Sequence, residues 1–172
     1  MSAPMVRAMI AGTKTETRRL KPRKIKVGDT IWVKEALRAK IDPWLNDSGD
    51  YDGPFVTYPA DGAVLYEKGI RAPWRWKRDQ LPGMFMPREL SRIQRVVTGV
   101  RVERLHDITE AGAIAEGIES YVDDGVTYYG PYGKGTACPI VAYRRLWESL
   151  HGPGSWDANP EVQVISWAEG NG

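Results

Sequence analysis

The clearest alternation of apolar and polar positions lies between Ser91 and Leu105. There Val96, Thr98, Val100 and Val102 alternate with Arg95, Val97, Gly99, Arg101 and Glu103, and a period of two marks a strand. The stretch is long for one strand, and Gly99 offers a bend or bulge at which it can turn a barrel corner. Thr30 to Lys34 predicts a second strand, with Ile31 and Val33 on one face and Trp32 on the other, fed by a Val27-Gly28-Asp29 turn. Val162 to Trp167 predicts a closing strand before a frayed tail. Helical spacing appears three times. Met5, Val6, Met9 and Ile10 follow a Ser2 cap and an early Pro4, and Gly12 supplies the left-handed stop. Thr109 caps a second helix, with Glu110 at its positive end, Ile108 placed to staple to Ala113, and Gly117 as terminator. The third runs from near Pro139 to His151, sets Tyr143, Leu146, Trp147 and Leu150 against a core, and ends at Gly152 and Pro153.

Two stretches break these periods. From about 38 to 90 the chain is dominated by turn residues, as in Asp42-Pro43-Trp44, Asp52-Gly53-Pro54 and Asp61-Gly62, with short strands suggested only at 55–58 and 63–66. Residues 119–137 are rich in Tyr, Gly and Asp and read as a surface loop. No internal repeat and no linker tract is present. With 172 residues and 42% hydrophobic content, the expectation is a single α+β domain over 1–172, carrying insertions at about 38–90 and 119–137.

Charge changes this picture in one place. Between Arg7 and Lys26 stand Arg7, Lys14, Arg18, Arg19, Lys21, Arg23, Lys24 and Lys26 against the single acid Glu16, a local net charge of +7. The whole chain carries +2, so the rest sums to −5. Such asymmetry suits an anionic partner docking at one place, although a solvated basic loop has the same composition. No apolar run has the length of a membrane helix and no secretory signal opens the chain, so a cytoplasmic protein without membrane association is expected. One cysteine, Cys138, excludes an internal disulfide, and His106 and His151 are too isolated for a zinc site, so neither metal nor cofactor is expected. No phosphate-loop or dinucleotide fingerprint occurs.

The remaining chemistry is concentrated in Gly12 to Arg19. Lys14 and Thr17 stand there beside the like charges of Arg18 and Arg19. Glu116, in the last turn of the second helix where the dipole disfavours a negative charge, is either exposed or held there by a nearby cation or a task. Trp74 and Trp76 interleave with Arg75, Lys77 and Arg78, a pattern equally suited to stacking bases and to anchoring a loop. Glu35, after the Trp32 strand, could line the same cleft as Lys14, or simply be solvated.

Gly12, Lys14, Thr17 and Arg19, followed by Gly28 and Asp29 entering a strand, resemble the signature of the ASCH domain family. The resemblance extends over roughly 5–35 and 91–167, and the chain looks like a phage or prophage ASCH-like protein. It implies a PUA-like fold, a small, mostly antiparallel β-barrel with flanking helices. One branch of the family removes the acetyl group from 4-acetylcytidine with a lysine, a threonine and a glutamate, which correspond here to Lys14, Thr17 and Glu116. Amide hydrolysis needs a nucleophile, a base and a donor for the oxyanion. The resemblance implies Thr17 as the hydroxyl, Lys14 as its base if burial and the like charges of Arg18 and Arg19 depress its pKa, and Glu116 as the carrier of a proton to the leaving amine. The structural alternative is a Lys14–Glu116 ion pair with Thr17 capping a turn. The implied function is a hydrolase, amidohydrolase-like, acting on a modified nucleoside or RNA. The alternative is a non-catalytic RNA- or DNA-binding module, with Lys14, Arg18, Arg19, Lys21, Arg23 and Lys24 on phosphates and Trp residues stacking bases. The nucleic-acid- or ligand-binding residues expected overall are Thr15, Arg18, Arg19, Lys21, Arg23, Lys24, Trp32, Glu35, Trp74 and Trp76. A third expectation is a protein partner bound through the Trp-rich insertion.

Overall fold

The computed structural model describes residues 1–41 and 53–168. The expected Asp42-Pro43-Trp44 turn and nearly all of the tail lie outside the described residues. In chain order the first elements are α1 (Ala3–Ile10), β1 (Glu16–Arg19), β2 (Thr30–Trp32), β3 (Leu37–Lys40), β4 (Phe55–Thr57), β5 (Tyr66–Glu67), β6 (Ile70–Arg71) and β7 (Gln80–Leu81). They are followed by β8 (Gln94–Arg104), α2 (Glu110–Ala115), β9 (Ser120–Asp123), β10 (Val126–Tyr129), α3 (Pro139–His151) and β11 (Glu161–Ala168). The fold is mixed α+β, with mostly antiparallel strands and few helices. The chain forms two compact units, Met1–Arg7 with Trp32–Ile93 and Ala8–Ile31 with Gln94–Gly172.

The second unit is organised by a sheet of order β1-β11-β8-β2, which curls as a half-barrel. Its central strands run antiparallel, Glu161 facing Arg104, and the register slips where Ser166 faces Gly99 but Trp167 faces Val97. Thr98 is the extra residue of that bulge, beside the glycine that marked the site. The bulge also reassigns the faces of β8. Val97 is buried, whereas Val96 and Val102 are 45% and 65% exposed. The alternation is therefore real but not a simple inward stripe, because Arg101 and Glu103 find ionic partners on β1 and within β8 itself. The core below comprises Leu105, Ile108, Ala113, Tyr143, Trp147, Trp156, Val162 and Val164. Helix α3 has the expected bounds; Tyr143 and Trp147 are buried, but Leu150 is exposed because the last turn runs past the core.

The 119–137 loop is a correction. It contains a hairpin, β9 against β10, closed by Asp124 and Gly125 at φ 47° and 77°. Two positive φ values define the turn that matches strand twist, and an Asp-Gly pair flanked by Tyr, Val and Thr was its signal.

In the first unit, β4-β3-β7 form a small sheet and β5-β6 a hairpin. Leu37, Val56, Tyr58, Ala72, Leu81, Met86 and Leu90 form a core, with Trp74 and Trp76 packed against it. The stretch expected to be irregular thus carries its own apolar centre. Glu35 is buried at 1% exposure instead of solvated, because Arg92 holds both its oxygens at 2.9 Å. Arg92 also binds Asp61 at 2.7 and 3.0 Å and lies 4.0 Å above the Tyr58 ring. Arg92→Ala leaves Glu35 a buried, unpaired charge and should lower stability by about 3–5 kcal/mol. Asp61→Ala, at the rim, should lower it by no more than about 1 kcal/mol. Urea titration of both variants measures the difference.

Candidate functional site

Lys14 is positioned by backbone contacts on both sides. Its N–H donates to the Ala8 carbonyl at 3.0 Å, its carbonyl accepts from Trp167 Nε1 at 3.1 Å, and the next N–H, of Thr15, donates to Ala115 at 2.8 Å. Lys14 and Glu116 thereby form an isolated antiparallel bridge. Gly117, at φ 83°, allows the close approach; a Cβ there would sit 2.7 Å from Lys14 Cβ.

The Lys14 ammonium donates to Glu116 Oε2 at 2.8 Å, to the Glu116 carbonyl at 2.6 Å and to the Glu16 carbonyl at 2.9 Å. These contacts occupy all three of its protons. Burial pushes the Lys14 pKa down, Glu116 opposes this, and Arg19 and Arg18 push further down. The direction is the one expected for a catalytic base, yet release of the proton forfeits a hydrogen bond in a site that is 4% exposed. Glu116 Oε1 in turn accepts from the Arg18 N–H at 2.6 Å and the Tyr143 hydroxyl at 3.2 Å. Burial first, and then the Glu116 charge, raises the Tyr143 phenol well above its ordinary value.

A larger ionic network continues from this pair. Arg18 binds Glu103 at 2.9 Å, and Arg101 spans Glu103 and Glu16, the latter at 3.0 and 3.1 Å. Ser166 donates to Glu16 at 2.8 Å. Three cations, Lys14, Arg18 and Arg101, therefore face three carboxylates, Glu16, Glu103 and Glu116, so the group is neutral within itself. That balance is what permits so much charge below the surface. Burial opposes ionisation of Glu16, but Arg101, Ser166 and Arg18 outweigh it and hold the carboxyl below its usual range. The folded-state pKa being depressed, this contribution is complete above the unfolded carboxylate value and is lost as pH falls through the folded one. Acid titration of stability should accordingly be shallower in Glu16→Gln than in the wild type below about pH 4.5.

Thr17 sits on β1 opposite Ile165 and is half-buried. Strand alternation puts it with Arg19 on the face opposite Glu16 and Arg18. Among the described residues its hydroxyl makes no hydrogen bond, to Lys14, to Glu116 or elsewhere. Lys14 and Glu116 are thus brought together, whereas the proposed nucleophile is not joined to them.

The basic run separates into two classes. Arg7 donates to the Ala60 carbonyl, and Lys14 and Arg18 belong to the buried network. Arg19, Lys21, Arg23, Lys24 and Lys26 are exposed, and among the described residues their side chains have no ion pair or hydrogen bond. Partial burial and then Arg23's charge push the Arg19 pKa down, against the pull of Glu116 and Tyr143. Arg23 and Lys24, with Ile25, Asp29 and Thr30, line an open recess of about 510 Å³.

Trp32, Glu35, Trp74 and Trp76 of the expected ligand-binding set belong to the first unit. Trp74 and Trp76 meet edge-on at 4.7 Å, and Trp74 Nε1 donates to the Arg78 carbonyl, which makes them loop anchors in this structure. Trp32 is half-buried under the Lys34 ammonium at 4.9 Å. Cys138 occupies the N-cap position of α3 without a side-chain capping bond, His106 bonds the Trp156 carbonyl, and His151 ends α3 against Trp147. Tyr143, Glu103, Arg101 and Gln163 were missed, since no sequence signal ties side chains so far apart. Among the described residues, no three His, Cys, Asp or Glu side chains gather to hold a metal, and no helix is long and apolar enough to cross a membrane. Comparison of the chain with family models, curated proteins and solved structures finds no match.

Proposed function

We propose that the unit built on Ala8–Ile31 and Gln94–Gly172 is a nucleic-acid-binding module of the ASCH, PUA-like kind, its half-barrel being part of that family's small barrel. The observation that carries the reading is the sorting of the basic run. Five exposed cations that have no ion pair or side-chain hydrogen bond among the described residues occupy the short segment from Arg19 to Lys26, while the cations before it are tied to protein groups. Mutually repelling charges held together at a surface favour an anionic ligand, and nucleic-acid phosphates supply the matching charge. Fluorescence anisotropy with single-stranded RNA and DNA tests it: salt-sensitive binding supports the module, and absence of binding at low salt refutes it.

The hydrolase reading is favoured by one contact, the 2.8 Å approach of Lys14 to Glu116. It requires the ammonium to give up a proton and the Thr17 hydroxyl to reach the pair. A product-formation assay on acylated cytidines decides it; turnover that disappears in Thr17→Ala would make the module an enzyme.

A further inference from the structure

The backbone of Arg23, which lines the recess, is fixed by a residue with no charge. Gln163, on β11 and 8% exposed, accepts from the Arg23 N–H at 2.7 Å through Oε1 and donates to the Arg23 carbonyl at 3.1 Å through Nε2. One buried amide thus satisfies both backbone groups of a residue 140 positions earlier. Ile25 N–H turns back onto the same carbonyl at 2.9 Å, and Asp29 Oδ2 accepts the Lys26 N–H at 2.8 Å. The loop is fixed at both ends of the recess, so the Arg23 and Lys24 side chains start from a defined place.

We infer that this recess seats one backbone nucleotide, its phosphodiester against Arg23 and Lys24 and its sugar against Ile25 and Thr30, with Gln163 as the positioning residue. This rests on, and sharpens, the nucleic-acid reading above. The volume falls within the roughly 300–1,000 Å³ of ligand sites. Arg23 and Lys24 against Asp29 leave one net positive charge on the lining, which balances a phosphodiester but not the dianion of a phosphomonoester. Asp29 faces the same space, and its carboxylate disfavours the second negative charge. Arg23 offers a planar fork for two phosphate oxygens, Lys24 a point charge, and the exposed Thr30 a hydroxyl for the sugar. The partly buried Ile25 is the apolar member of the lining.

The test uses the full chain and two probes. Amide NMR during titration with a dinucleoside monophosphate, which holds one phosphodiester, should shift Arg23, Lys24 and Thr30, and inorganic phosphate should shift them less. Single-stranded oligonucleotide affinity should fall about tenfold in Gln163→Leu, because the Arg23 backbone loses both bonds to the amide and the loop must then be ordered at the moment of binding. The salt slope should stay unchanged there, since no cation is removed. Arg23→Ala with Lys24→Ala, both exposed, should reduce affinity and slope together. If the oligonucleotide binds and all these variants retain wild-type affinity without shifts at the recess, the nucleotide seat is wrong while the module reading stands. If the probe shifts the recess residues but no oligonucleotide binds, the seat stands and the module reading falls. Equal or stronger response to inorganic phosphate would overturn the diester assignment.

Discussion

Lys14→Ala should lower folding stability by about 3–5 kcal/mol, because it leaves the Glu116 carboxylate buried with one ammonium partner gone. Glu116→Ala should cost a similar amount, stranding the Lys14 ammonium at 4% exposure. The double replacement Lys14→Met with Glu116→Leu should recover most of the loss, since an ion pair exchanged for apolar groups of similar size is often near neutral. Arg18 and Tyr143 would then lose Glu116 as a partner, Arg18 keeping Glu103, Glu16 and the Gly112 carbonyl, so recovery is incomplete. Urea denaturation of the three variants measures this. The catalytic reading predicts a different pattern, a folded Lys14→Ala protein that has lost turnover. Wild-type stability in both single variants would remove the structural role assigned to the pair.

Neutralising Arg19, Lys21, Arg23, Lys24 and Lys26 together should do the reverse. Their side chains have no ionic partner among the described residues, so stability should hold or rise as mutual repulsion is relieved. Nucleic-acid binding should disappear. With a slope of about −0.7 per phosphate on a single strand, five such contacts give about −3.5, or roughly a hundredfold loss between 50 and 200 mM salt. Removing Arg101 instead should destabilise the ionic network without changing that slope, because Arg101 is spent on Glu16 and Glu103.

What the sequence shows and what it hides divide along one line. Local signals were legible: the Pro139 start and Gly152 stop of α3, the Thr109 cap of α2, the bulge beside Gly99. Each depends on backbone chemistry within a few residues. The hairpin at Asp124-Gly125 had an equally local signal, but the surrounding Gly and Tyr disguised it as a loop. Pairings between distant residues were not legible from spacing. Glu35 and Arg92 stand 57 positions apart, and nothing local distinguishes a solvated glutamate from one clamped in a core. Lys14 and Glu116 were linked in advance only by a family resemblance, and Tyr143 and Glu103 by nothing. The basic run shows the limit most plainly. As letters its cations are equivalent; in the fold Arg18 is buried among three carboxylates and its neighbour Arg19, one position on, faces outward. Strand alternation makes that division, and it depends on knowing that Glu16 to Arg19 is a strand.

The most direct measurement is the dependence of single-stranded RNA affinity on salt, followed by anisotropy from 50 to 300 mM, for the wild type and the variant lacking all five exposed cations from Arg19 to Lys26. A steep negative slope in the wild type, with binding abolished in a folded variant, is the predicted result. Equal affinity for both proteins, or no binding by the wild type at 50 mM salt, would contradict it.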